Sequence, residues 1–205
     1  KIGFYELPDM YHLWSQSEQV GNSFAQKFTK FIWVGIGGSS LGPKAMIEAM
    51  KWNHIKVLEN PDIQTLLSVK KDYSTFKDVG FVFVSKSGTT IETLATLDFF
   101  NQELTEAGLQ LKKQAVVITE LKPSSLYDWA KGNDVPILEI PLTVGGRFSV
   151  LSSIGQLVIK LGKGNLSEFR QGAAAALKSE YKEKVLFPMT EFFMSSFARK
   201  DTLTY

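Results

Sequence analysis

The chain has no cysteine, which excludes a disulfide frame, a thiolate nucleophile and any Cys-based metal site. Histidine is almost as scarce: His12 and His54 are the only two, far apart and on unlike segments, so a His-rich metal cluster is excluded as well. No apolar run approaches the roughly 18 to 20 residues that span a bilayer. The polar start Lys1-Ile2-Gly3-Phe4-Tyr5-Glu6 does not read as a signal peptide. A cytoplasmic setting without a membrane partner is therefore expected. Charge of one sign is also missing, since 23 Lys plus Arg against 21 Asp plus Glu leave a formal +2. That supplies no basic field, and nucleic acid is not an expected partner.

Apolar and aromatic residues, by contrast, are abundant. They make up 44% and 12% of the 205 residues, with Phe alone contributing 15, which rules out disorder over most of the length. Such a chain can bury one substantial core and is short for two full-sized domains.

From Met10 to Phe28 the spacing of Leu13, Trp14, Val20, Phe24 and Phe28 is helix-like, and polar interruptions make it a peripheral helix. Phe31-Ile32-Trp33-Val34-Gly35-Ile36 then reads as a strand covered on both faces. Further strands are expected at 55–58, 80–84, 115–118 and 136–140, separated by helix-sized intervals at 44–50, 61–69, 89–104 and 124–131. Strands alternating with helices argue for right-handed βαβ units and a parallel sheet of about five strands. A helix at 150–161 places Leu151, Ile154, Leu157, Val158 and Leu161 on one face. Two more helices are expected at 168–178 and 187–197, and Lys200-Asp201-Thr202-Leu203-Thr204-Tyr205 is strand-like.

In an open parallel sheet, ligands sit beyond the carboxyl ends of the strands, so the residues that follow the strands carry the chemistry. The first such loop is Gly35-Ile36-Gly37-Gly38-Ser39-Ser40-Leu41-Gly42-Pro43. Its glycines allow close backbone approach to an anion, and its serines and the following helix N-terminus supply donors. A dinucleotide fold is the rival, with Glu59 as ribose-binding acid, but the third glycine of G-x-G-x-x-G is replaced by Ser40. A purely structural strand-to-helix turn is the other reading.

The second loop, Ser85-Lys86-Ser87-Gly88-Thr89-Thr90-Ile91-Glu92-Thr93, gathers hydroxyls and one Lys before a helix, as a phosphate monoester requires. Thr89 and Glu92 also have capping-box spacing. The third loop carries Gly145-Gly146-Arg147-Phe148-Ser149-Val150-Leu151-Ser152. Arg147, one of only three Arg, stands where a guanidinium can stabilise negative charge on a substrate oxygen or make a surface salt bridge. His12 and His54 lack a partner motif and read as structural or exposed. The four Trp read as core or lid.

Together, and in this order, the three loops resemble the motifs of the phosphoglucose isomerase family. The resemblance implies a three-layer αβα sugar isomerase (SIS) domain with a flavodoxin-like, five-stranded parallel sheet and flanking helices. It implies an N-terminal helical arm at 1–30, the SIS domain at 31–161, and a helical connection at 162–205 into a second SIS domain that is absent. Ser85, Lys86, Ser87 and Thr90 then look like the phosphate cradle, Gly38 and Ser39 like sugar contacts, and Gly146 with Arg147 like the group facing the reacting carbons. Leu142 departs from the small or polar residue usual in the family.

The implied reaction interconverts glucose 6-phosphate and fructose 6-phosphate through a cis-enediolate, with no metal or organic cofactor, in a homodimer. Family members carry the Glu base, a ring-opening His and a C-terminal Lys downstream of the arginine motif. Nothing here resembles that Glu stretch, and both His precede Arg147. The chain is therefore expected to be the phosphate-binding part of an isomerase and inactive alone. A stand-alone SIS module that binds a phosphosugar and regulates a partner is the alternative.

Overall fold

Each short apolar run becomes a strand because helices cover both of its faces. In the computed structural model, which describes residues 3–199, these strands are β1 (Lys30–Val34), β2 (Ile55–Leu58), β3 (Val79–Val84), β4 (Ala115–Thr119) and β5 (Ile137–Glu139). All pair in parallel in the order β2-β1-β3-β4-β5. Val34 pairs with Leu58 on one side and Phe83 on the other, so the loops leaving β1 and β3 start at nearly the same level.

Six helices flank the sheet: α1 (Tyr11–Lys27), α2 (Leu41–Met50), α3 (Ile63–Asp72), α4 (Ile91–Glu106), α5 (Ser125–Gly132) and α6 (Ser153–Leu161). Strand alternation sorts the core into two layers. Ile32, Val34, Phe81, Phe83 and Val117 meet Leu66 and Val69 of α3, Leu97, Phe100 and Leu104 of α4, and Leu126 of α5. Phe31, Trp33, Val82, Val84, Val116 and Ile118 meet Phe24 of α1, Ile47 of α2, and Ile154, Leu157 and Val158 of α6. The expected three-layer αβα fold is the one observed.

The N-terminal 3-10 stretch Gly3–Asp9 buries Leu7 against Leu13 and Val144, and Trp14 Nε1 donates to Leu7 O at 2.8 Å. Helix α1 is thus less peripheral than its pattern suggests: Leu13, Trp14, Ser17, Gly21 and Phe24 are buried. The helix expected from Val150 begins instead at Ser153. Gly146–Leu151 form a 3-10 turn, and Ser152 caps α6 by accepting from Ile154 N at 3.4 Å.

The described residues divide after Leu166 into two compact units. In the second run α7 (Leu166–Ala175, opening at the boundary), α8 (Ser179–Tyr181), a π-helical segment Lys182–Leu186 and α9 (Phe187–Arg199). Both helices expected there are present, with the π segment leading directly into α9. The strand-like run Lys200 to Tyr205 lies outside the described residues. Among those described, no helix is long and apolar enough to cross a membrane.

Candidate active site

The sheet order places a topological switch between β1 and β3, because the chain leaves β1 toward β2 and returns to β3 on the other side. Such a switch opens a crevice at the carboxyl ends of the strands. Two of the three motif loops leave there. The third follows β5 at the sheet edge and runs back to the loop after β1.

In the first loop, Gly37–Ser39 form a 3-10 turn, and Trp33 Nε1 donates to Ser39 O at 2.9 Å. Ser40 is fully buried. Its hydroxyl donates to Glu59 Oε1 at 2.7 Å, and Lys44 Nζ donates to Glu59 Oε2 at 3.0 Å. The Ser40 hydroxyl, followed by the Lys44 ammonium, holds the Glu59 carboxyl below the usual range. Glu59 is therefore committed to anchoring this loop rather than standing ready for a ribose. Ser39 stays half-buried at the crevice.

In the second loop, Ser85 is buried and its Oγ lies 2.7 Å from Thr90 Oγ1 while accepting from Gly88 N–H at 3.1 Å. Ser87 is exposed and accepts from both the N–H and the hydroxyl of Thr89, at 3.2 and 3.0 Å. The capping box expected of Thr89 and Glu92 does not form, since α4 starts at Ile91 and Thr89 is spent on Ser87. The N-cap is Thr90, whose hydroxyl is turned to Ser85 and caps nothing. The first-turn N–H groups of α4 thus receive no side-chain cap and remain available to an anion at the positive end of the helix dipole. Gly88 adopts φ +69°, and a Cβ there would fall 2.0 Å from Ser124 Oγ, so glycine is required twice over.

Lys86 brings a residue that motif reading missed. Its Nζ lies 3.4 Å from Oε1 of Glu120, a buried carboxylate just beyond β4 that also pairs with Lys122. The available signal was position alone: Glu120 follows the carboxyl end of a strand.

The third loop closes on the first. Ser149, buried, donates to Gly146 O at 2.5 Å, and its Oγ lies 3.3 Å from Gly38 O. A Cβ on Gly38 would sit 2.2 Å from Gly146 O and 2.9 Å from Arg147 N, so the loops touch through backbone. Arg147 is exposed, with its guanidinium 4.9 Å from the Phe148 ring centroid, and it makes no ion pair among the described residues. Gly38, Ser39, Gly146 and Arg147 are thereby brought together, and Ser85, Lys86, Ser87 and Thr90 cluster at the neighbouring strand end. Leu142 is exposed.

The histidines lie apart from the motif loops. His54 Nε2 is 3.0 Å from Leu161 O, and His12 Nε2 is 4.0 Å from Glu139 Oε2. The Trp residues are packing and anchoring groups, Trp14 and Trp33 through the hydrogen bonds above and Trp52 against Gly162.

An αβα sheet of order 2-1-3-4-5, with glycine- and hydroxyl-rich loops after β1 and β3 and an arginine loop folded onto the first of them, defines a domain of the sugar isomerase type. Comparison with known proteins narrows this. The phosphoglucose isomerase family model matches residues 10–191, and the chain belongs to that family. It is 37% identical over 163 residues to the glucose-6-phosphate isomerase of Prochlorococcus marinus subsp. pastoris, covering 76% of this chain and 31% of that protein. Against the Thermus thermophilus glucose-6-phosphate isomerase it is 34% identical over 167 residues, covering 78% and 38%. A solved glucose-6-phosphate isomerase from Chlamydia trachomatis superposes with a TM-score of 0.73 at 31% identity, over 80% of this chain and 32% of that one. Tagatose-6-phosphate ketose/aldose isomerase from Escherichia coli shares the fold, with a TM-score of 0.56 at 15% identity over 83% and 47%. The chain spans about a third of the length of the curated relatives it matches.

Proposed function

We propose that this chain is the sugar-phosphate-binding part of an enzyme that interconverts glucose 6-phosphate and fructose 6-phosphate. The observation that carries the reading is the meeting of Gly38 with Gly146 and Arg147 beside an uncapped, hydroxyl-rich helix start. The phosphate dianion docks on Ser87, Thr90, Lys86 and the first-turn N–H groups of α4. Ser85 shapes that loop from beneath. The sugar extends toward Gly38 and Ser39, where the backbone approaches it closely.

Isomerisation removes a proton from C2 and returns it to C1, leaving negative charge on the enediolate oxygens between the two steps. Arg147, which pairs with no carboxylate among the described residues, stabilises that charge. Arg147 cannot form the enediolate, which needs a base within reach of the C2 proton. The two acids bonded to these loops, Glu59 and Glu120, are each held by lysine. As the family resemblance implies, the base and the ring-opening His belong to the part of the enzyme downstream of the arginine motif. In this reading residues 31–161 are the SIS domain, 1–30 its helical arm and 162–205 the connection toward a second SIS domain. The homodimer and cytoplasmic setting implied by the resemblance belong to the same proposal.

The cradle is tested by ligand-dependent thermal stabilisation. Glucose 6-phosphate raises the melting temperature of the wild-type chain, and Ser87→Ala with Thr90→Ala removes that increase. Unchanged affinity in the double variant refutes the assignment.

A further inference from the structure

The Glu120 side chain is only 5% exposed, and burying a carboxylate is costly unless partners compensate its charge. It has two: its Oε1 lies 3.4 Å from Lys86 Nζ, and its Oε2 is paired with Lys122 Nζ. One carboxylate therefore holds two ammonium groups side by side. Its backbone N–H also donates to Lys86 O at 3.2 Å, and Thr119 Oγ1 donates there at 3.4 Å. Lys86 is clamped by this one strand end at both its backbone and its charge.

The electrostatics of that clamp identify what Lys122 does. A phosphate monoester carries nearly two negative charges at neutral pH. Lys86 paired with Glu120 is neutral as a unit, which weakens its pull on the dianion. Lys122 restores a charge of +1 to the cluster. Its side chain is 49% exposed, so its bond to Glu120 adds little stability through solvent. Each ammonium has three donors and spends one on the carboxylate, which leaves the others for ligand oxygens.

We propose that Lys122 is a further phosphate-binding residue, held beside Lys86 by the shared carboxylate of Glu120, which acts as a positioning residue for both. The ligand class is a sugar phosphate monoester, and the inference rests on the reading of residues 85–90 as a phosphate cradle.

Calorimetric titration of the 205-residue chain tests it, with glucose 6-phosphate and inorganic phosphate as probes. Lys122→Met weakens binding of both by about fivefold, the scale of one partly exposed charged hydrogen bond. Lys122→Arg, which keeps charge and reach, restores it. In a Glu120→Gln background the same Lys122→Met step shrinks to less than about twofold, because the tether is already gone. Lys122→Gln is a second variant should Lys122→Met melt early. Wild-type affinity in Lys122→Met and Lys122→Gln, or an equal loss from Lys122→Met in both backgrounds, overturns the proposal. If Lys86→Met weakens binding while Lys122→Met and Lys122→Gln do not, the inference falls and the cradle reading stands. A wild-type chain that binds neither probe overturns both.

Discussion

Gly38 carries no side chain, and the site depends on that absence. The backbone of the third loop occupies the space a Cβ would take, 2.2 Å from Gly146 O, and backbone cannot swing aside as a flexible side chain does. Gly38→Ala is expected to cost about 1–3 kcal/mol, the usual penalty for overpacking, and to abolish stabilisation by glucose 6-phosphate. Chemical denaturation and melting with ligand measure the two effects. Glu59 makes a pH prediction. Its carboxyl is held below the ordinary range by Ser40 and Lys44, so it contributes stability above the ordinary glutamate pKa, and that contribution is lost as pH falls through the lowered value. Glu59→Gln should melt below wild type at neutral pH, with the two curves converging on acidification. Parallel curves across that window would show that Glu59 is not an anchor. The sequence singled out Gly38 and Arg147 through their motifs. Ser40 and Glu59 stand 19 positions apart, in the loops that follow β1 and β2, and their bond was legible only once those strands were paired.

Among the elements, the strands were the most legible. An apolar run a few residues long and bounded by glycine or turn residues has few ways to satisfy its backbone except in a covered sheet. Helix starts were less so, because they turn on which of several hydroxyls takes which partner. Thr89 had the spacing to cap α4, yet it bonds Ser87, and the helix opens two residues later without a side-chain cap. The helix expected at Val150 is displaced to Ser153 because Ser149 is drawn onto Gly38 and Gly146 and the chain stays in a 3-10 turn. Helix α4 carries the proposed phosphate at its start, and its core face fixes its position. Phe100 is fully buried against Phe76, Phe81 and Phe99. Phe100→Ala should destabilise the chain by about 3–5 kcal/mol in urea denaturation. A loss under 1 kcal/mol would mean the helix is held by something else.

At the scale of the whole molecule, the sheet order brings three loops to one end while the chain covers only about a third of its relatives. In the proposed function, phosphate recognition and the enediolate-facing arginine belong to this chain and the base belongs elsewhere in the enzyme. The 205-residue chain is therefore expected to show little or no turnover in a coupled isomerase assay while still binding glucose 6-phosphate. Rates like those of an intact isomerase would overturn the division of labour. The sequence by itself determined the class: five buried strands, intervening helices and three ordered loop motifs are local patterns, and local pattern sets burial, period and backbone freedom. The tertiary structure decided which of those residues work together. The sheet order laid β1 beside β3, the loop after β5 folded back onto Gly38, and Glu120 came to pair with Lys86. Contacts of that kind depend on where distant segments pack, a property no stretch of sequence carries alone.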